Sequence, residues 1–395
     1  MIRLQKRSAA FLPTAEQHQL LRAALLRDRD AAATSLRAWE SSVDIDDIDA
    51  ATFRLLPLLY ENLRRNGIDT VHRLVLRSVY RHMWFRTNII RNHGVDALRA
   101  LREAAIPTGV IKGAALVATG CVGGATRPMA DYDVVVQRSD LARAIEVLLD
   151  NDWRAKRPQV TLQAWSAYRH AISFERPVGG EVDLHSSALN YPFSDRAQRE
   201  LWQGAVPVAI DGEPTLIMSR VAQLLQTCAH GNRFNSGVDP IRWAADAWLL
   251  LHDPSGRLSF EWDRLEDLAH RLSLRVTLHR SLEYLRDGLG VAVPDRTMRS
   301  LSRAAGLGER ATLLLSDSRR PRVAFAYNAT LWLRRAFSGP LSEMPRRLRL
   351  LPQFLRESLR VAPGRSLARH VISKALRFRP LRLAPAQRDS EAATP

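Results

Sequence analysis

Cysteine is almost missing from this chain: Cys121 and Cys228 are its two thiols. They show no metal-ligand spacing and cannot staple a chain of this size, so a disulfide framework is excluded and a reducing cytoplasm is the expected setting. Lysine is scarcer than its basic partner, with Lys6, Lys112, Lys156 and Lys374 against 54 arginines. No segment approaches the roughly 20 uninterrupted apolar residues of a spanning helix. The N-terminus, MIRLQKRSAAFLPTAEQ, is basic but has no apolar run long enough for a secretory signal. Neither export nor integral membrane insertion is expected.

What is present fits a globular protein. Apolar residues form 46% of the 395 and charged residues 25%, and a chain this long predicts two or three structural units. Basic residues exceed acids by 58 to 41, a formal charge of +17. The excess is concentrated: from Arg319 to Asp389 there are 17 basic residues and three acids, Glu343, Glu357 and Asp389. Because nearly every cation is arginine, basicity alone names no partner.

Along the chain the periodicity changes twice. From about 15 to 105, apolar residues recur every three or four positions, and 71 to 104 reads as one long helix or two joined near Asn92 to Gly94. From Ile106 the segments TGVIKG, DYDVVV, HAISFE and EVDLHS read as strands. SDLARAIEVLLDND between them reads as a helix capped by Ser139, with an apolar stripe through Leu141, Ala144, Ile145, Leu148 and Leu149. VPVAI and PTLIM flank Asp211-Gly212, a hairpin signal. Helices resume at Ser219, a predicted cap, with Gly231 as the stop, and continue to about 335. These changes predict an N-terminal helical region at 1–105, an α/β core at 106–218, a C-terminal helical domain at 219–335 and a basic amphipathic tail at 336–395. Pro345, Pro352, Pro363 and Pro380 should cut the tail helices short, and the last residues read as a disordered end.

Asp131 and Asp133 stand at i and i+2 in MADYDVVV, so on a strand both carboxylates leave the same face and Tyr132 the other. Adjacent carboxylates resist ionising together unless a cation neutralises them. The pair alone also fits an ordinary solvated strand end. Its surroundings add weight. Lys112 and Gly113 form a tight turn between a strand and a helix, where free backbone N–H groups could receive phosphate oxygens. Fifty residues after Asp133, EVDLHS places Asp183 and His185 on one strand face and Val182 and Leu184 on the other. If this strand lies beside the first, Asp183 completes three carboxylates able to hold two cations for phosphoryl transfer. Glu181 competes on the same face. His185 could orient a phosphate, act as a base, or be structural. His230 and Asp246 suggest domain joining, and Trp153, Trp243 and Trp248 belong to cores.

The order Lys112-Gly113-x-x-Leu116, then Arg127-x-Met129-x-Asp131-x-Asp133, then Asp183-Leu184-His185 resembles the family of uncharacterised nucleotidyltransferases, related to DNA polymerase β. His230, Arg242, Trp243 and Asp246 resemble its helical C-terminal part, so the likeness spans roughly 50 to 270. It implies an α+β fold: a polymerase β-like nucleotidyltransferase core, a mixed sheet with flanking helices, between two helical regions. It further implies magnesium, in a two-ion site on Asp131, Asp133 and Asp183, as the cofactor and catalytic centre. An NTP would lie against Lys112, Gly113, Arg127 and His185. The wider superfamily carries Gly-Ser or Gly-Gly at the phosphate turn, whereas this chain has Lys-Gly-Ala and no serine there.

The expected activity is transfer of a nucleoside monophosphate from an NTP to an acceptor hydroxyl or phosphate with release of pyrophosphate. No motif selects the acceptor among small molecule, peptide, glycan and RNA. Two alternatives stay open: a nucleotide-binding scaffold of a biosynthetic complex, and a toxin-like enzyme modifying tRNA or protein. The tail, with arginine and apolar residues at helical intervals, is an expected contact for an anionic membrane surface or a polyanion, or else a capping segment with a solvated arginine face. A cytoplasmic location, peripheral at the inner membrane surface, accompanies that reading.

Overall fold

The computed structural model describes residues 11–156, 162–177, 179–189, 195–232, 241–252, 260–302, 309, 341–359, 361 and 364–377. The expected helices between 310 and 335 and the chain end from 378 lie outside them. The fold is α+β. A mixed seven-stranded sheet runs in the order β3-β4-β5-β2-β1-β7-β6. Its strands are β1 (Thr108–Val110), β2 (Tyr132–Val136), β3 (Arg154–Ala155), β4 (Ala171–Glu175), β5 (Glu181–His185), β6 (Val206–Ile210) and β7 (Glu213–Ile217). The segments read as strands all form, and the two-residue β3 is an addition. β2 pairs antiparallel with β1 and parallel with β5. The predicted hairpin joins β6 to β7 through Asp211 (φ 49°) and Gly212 (φ 83°), both in the left-handed region that such a two-residue turn demands.

Strand alternation sorts the sheet into two faces. Tyr132, Val134, Val136, Val182 and Leu184 pack against Leu98 and Leu101 of α5 (Arg73–Glu103) and against Leu141, Ile145 and Leu148 of α7 (Leu141–Asp150). α5 is one uninterrupted helix, because Gly94 is used for close approach and does not break it: a Cβ there would stand 2.2 Å from Tyr132 Cγ. Ser139 is not the cap of α7. Asp140 holds that position in helical conformation, with no side-chain cap bond, because the chain enters the helix through a turn from Gln137. Leu149 departs from the buried stripe and is 42% exposed.

The opposite face meets a helical body drawn from both flanks of the sheet. Leu20, Leu36, Trp39 and Leu59 of α1 (Ala15–Leu25), α2 (Arg29–Glu40) and α4 (Leu56–Asn66) share one core with Leu224, Trp243, Leu278 and Leu282. The last four come from α10 (Arg220–Gly231), α11 (Arg242–Leu251) and α13 (Arg275–Leu289). Ser219 caps α10, its Oγ accepting from Ala222 N–H. Gly231 is the last residue of α10, and its missing side chain admits the Trp243 ring, which a Cβ would meet at 2.3 Å. Trp153, Trp243 and Trp248 are all buried.

In the tail, α15 (Met344–Ser358) runs through Pro352, so this proline does not cut the helix. An internal proline costs roughly 3 kcal/mol; here Phe354, fully buried and stacked on Tyr168 at 4.8 Å, offsets that cost by docking the helix. α16 (Leu367–Arg377) follows. Among the described residues no helix is long and apolar enough to cross a membrane.

Candidate metal and nucleotide site

The parallel register of β2 and β5 sets Asp133 directly beside Asp183 and Val135 beside His185. Asp133, Asp183 and His185 therefore share one face, and each offers a ligand atom within 4.8 Å of the others. Asp133 and His185 are buried and Asp183 is half-buried. Asp131, just before β2, joins them electrostatically: repulsion from Asp133, together with burial, pushes its carboxyl up to about 6. Burial alone would raise Asp133 as well, yet the Lys112 ammonium and the His185 ring hold it down to about 2. Lys112 Nζ stands 2.5 Å and His185 Nε2 2.8 Å from the same oxygen, Oδ1.

The chemistry of this donor set fits a divalent cation. Two carboxylates and an imidazole converge, and a third carboxylate nearby is hard to ionise without added positive charge. Of the expected ligands Asp131, Asp133 and Asp183, the last two share the cluster, and His185, expected against the nucleotide, stands beside them. Glu181 is engaged elsewhere, 2.5 Å from Lys156 Nζ.

At the turn, Lys112 has φ 55°, a conformation costly for a residue with a side chain, and that twist delivers its ammonium to Asp133. Gly113 faces inward, where a Cβ would stand 2.9 Å from Met129 Cγ and 3.4 Å from Arg127 Nη1. Its missing side chain therefore serves packing of the turn onto the Asp131 segment. The helix that follows, α6 (Lys112–Ala118), is seven residues long. Arg127 is committed: Nε and Nη2 hold both oxygens of Asp246 at 2.7 and 2.8 Å, and Nη1 donates to the Pro128 carbonyl at 2.8 Å. Asp246 thus ties α11 to the segment leading to Asp131.

That segment has further anchors which sequence reasoning missed. Arg242, also on α11, donates to the Pro128 carbonyl at 2.6 Å and to the Arg54 carbonyl at 3.3 Å. Met129 N–H donates to Thr87 Oγ1 on α5 at 3.3 Å. A buried guanidinium serving backbone carbonyls leaves no local signature; Arg242 within IRWAAD was the one visible hint.

With this geometry in place, comparison with known proteins agrees. The family model described as uncharacterised nucleotidyltransferase matches residues 48–290, more than half the chain, and the protein belongs to that family. Membership supports a nucleotidyl transfer activity and a nucleotide substrate. No curated protein matches the chain. Among solved structures, an antigenic nucleotidyltransferase-like protein from Paracoccidioides brasiliensis is similar at 15% identity and a TM-score of 0.32, covering 54% of this chain and 95% of its own.

Proposed function

We propose that the protein is a magnesium-dependent enzyme that transfers a nucleoside monophosphate from an NTP to an acceptor hydroxyl, releasing pyrophosphate. The observation that carries the reading is the convergence of Asp133, Asp183 and His185 within 4.8 Å, beside an Asp131 carboxyl pushed up to about 6. Asp131, Asp133 and Asp183 would hold the cations, with His185 as a further donor. Bound there, magnesium supplies charge neutralisation for the triphosphate and acidifies the acceptor hydroxyl.

The remaining work falls to the chain. Lys112 is poised on Asp133. Its ammonium would turn from there to the phosphate oxygens of the nucleotide. Asp183, the most open of the three clustered groups, would take the acceptor proton. The acceptor oxygen bonds to the α-phosphorus, the bond from that phosphorus to the bridging oxygen breaks, and pyrophosphate leaves with the electron pair. Catalysis is by positioning and charge, with no covalent enzyme intermediate.

A second reading, nucleotide binding without turnover in a scaffold, is favoured by one observation: Arg127, expected against the phosphates, is occupied by Asp246. Calorimetry with each NTP and magnesium, paired with a pyrophosphate-release assay over small-molecule, peptide, glycan and RNA acceptors, separates the two. The enzyme reading expects binding and release, both lost in Asp133→Asn. Binding without release supports the scaffold, and absence of binding overturns both.

A further inference from the structure

We propose that the N-terminal half of α5 is a docking surface for an anionic lipid bilayer, with the helix lying in the plane of the head groups. One side of this half is turned inward, where Leu76, Val79, Met83, Thr87 and Ile90 are buried. Its outward side is apolar as well. Leu74 is 77% exposed, Phe85 60% and Trp84 52%, and Val71, just ahead of the first turn, is 84% exposed. Leu74, Arg81 and Phe85 follow one another at seven and four residues, so they lie along one line of the helix over about 16 Å. Arg77 and Trp84 run beside that line on one flank, Val75 and Arg86 on the other. Apolar side chains this open and this close together mark a surface that meets something apolar.

Charge narrows the partner. From Val71 to Val95 the chain carries five arginines and no acid. Arg73 is paired with Asp69 and Arg91 with Asp211. Arg77, Arg81 and Arg86 are exposed, and none of them has an ion pair or hydrogen bond to another described residue. A second copy of the chain docked on this face would set arginine against arginine. RNA would answer the arginines and stack on Trp84 and Phe85, yet leave Val71, Leu74 and Val75 in water. A peptide is gripped in a groove, and side chains as open as Leu74 stand clear of a wall.

An anionic bilayer satisfies both kinds of side chain. The apolar groups enter the boundary between head groups and acyl chains, while the guanidinium groups, on long flexible stems, reach the lipid phosphates. α5 is not apolar enough to cross the bilayer, which leaves it lying on the surface. The buried side of the same helix serves the acid cluster, since Thr87 Oγ1 accepts from Met129 N–H two residues before Asp131. Docking uses the other side, so the inference stands whether or not the protein turns over nucleotides.

The test is flotation of the full chain with vesicles, in EDTA and without nucleotide. Vesicles of phosphatidylglycerol and phosphatidylcholine in equal parts should bind the protein at least tenfold more tightly than phosphatidylcholine alone. Leu74→Ser with Phe85→Ser, and separately Arg77→Glu with Arg81→Glu, should each weaken binding at least tenfold. All four positions are exposed, so the urea midpoint should stay that of wild type. Trp84→Phe should bind as wild type does but lose most of the tryptophan quenching that brominated phosphatidylglycerol produces, and it decides the matter where a double variant is destabilised. Vesicle binding kept by both double variants puts the contact elsewhere, the tail included, and overturns the proposal. So does quenching unchanged in Trp84→Phe, binding of poly(U) RNA without binding of vesicles, no vesicle binding at all, or a wild-type dimer that Leu74→Ser with Phe85→Ser dissolves.

Discussion

Neighbouring residues on β2 and β5 live in opposite surroundings. Val134 and Leu184 are fully buried under α5 and α7, whereas Asp133 and His185, one position away, are buried in a cluster of charge. The first face is settled by the apolar surface it removes from water. The second is a standing electrostatic conflict, in which Lys112 and His185 answer one carboxylate and Asp131 is left resisting ionisation. The stable face makes the strained face affordable, and the two should respond to different perturbations.

Asp133→Asn tests the charged face most severely. Losing even an outer partner of a metal ligand costs about 10–100-fold in affinity, so manganese binding, followed by electron paramagnetic resonance, should weaken by about 100-fold or more while the circular dichroism spectrum is kept. Unchanged affinity would remove Asp133 from the site. Leu184→Ala should do the converse. It costs roughly 2–5 kcal/mol in urea unfolding, the usual range for emptying a buried leucine, with metal affinity of the folded protein intact. A large loss of affinity would show that the two faces are not separable.

A smaller effect sharpens the contrast through pH. The folded-state value of Asp131 is raised from 3.8 to about 6, so the folded form binds that proton more tightly than the unfolded chain does. Without metal, this group's contribution to stability therefore grows as pH falls through about 6 towards 3.8. Asp133, lowered to about 2, contributes in the opposite sense, and its stabilisation is lost as pH falls from 3.8 towards 2. In EDTA, the melting temperature of Asp131→Asn relative to wild type should be highest at pH 7.5 and the difference should close as pH falls to 3.8 and below. Parallel curves would contradict the charge conflict. The smallest effect is expected for Arg91→Ala, away from both faces. Its pair with Asp211 is 37% and 41% exposed, so the loss should stay below about 1 kcal/mol.

Much of this arrangement was legible because strand alternation is a local rule. The i, i+2 spacing of Asp131 and Asp133, the alternation in EVDLHS and the Asp-Gly turn each state their geometry within a few residues. What escaped was long-range. Nothing near Arg127 announces that its guanidinium closes on Asp246, 119 positions away. Nothing in Lys-Gly-Ala says that the lysine rests on Asp133. Pro352 misled because the docking of Phe354, which outweighs a proline in mid-helix, depends on Tyr168 nearly two hundred residues earlier. Ser139 misled more modestly, since the cap position is decided by where the preceding turn releases the chain.

The grip on the Asp131 segment sets an order of events during synthesis. Pro128 and Arg127 are held by Arg242 and Asp246, which leave the ribosome more than a hundred residues later, while Arg54 and Thr87 emerge long before. Domains generally fold as units, and the segment delivering Asp131 is locked only when residues from both flanks are present. A chain ending ahead of α11 would carry the ligands without the clasp that aligns Asp131.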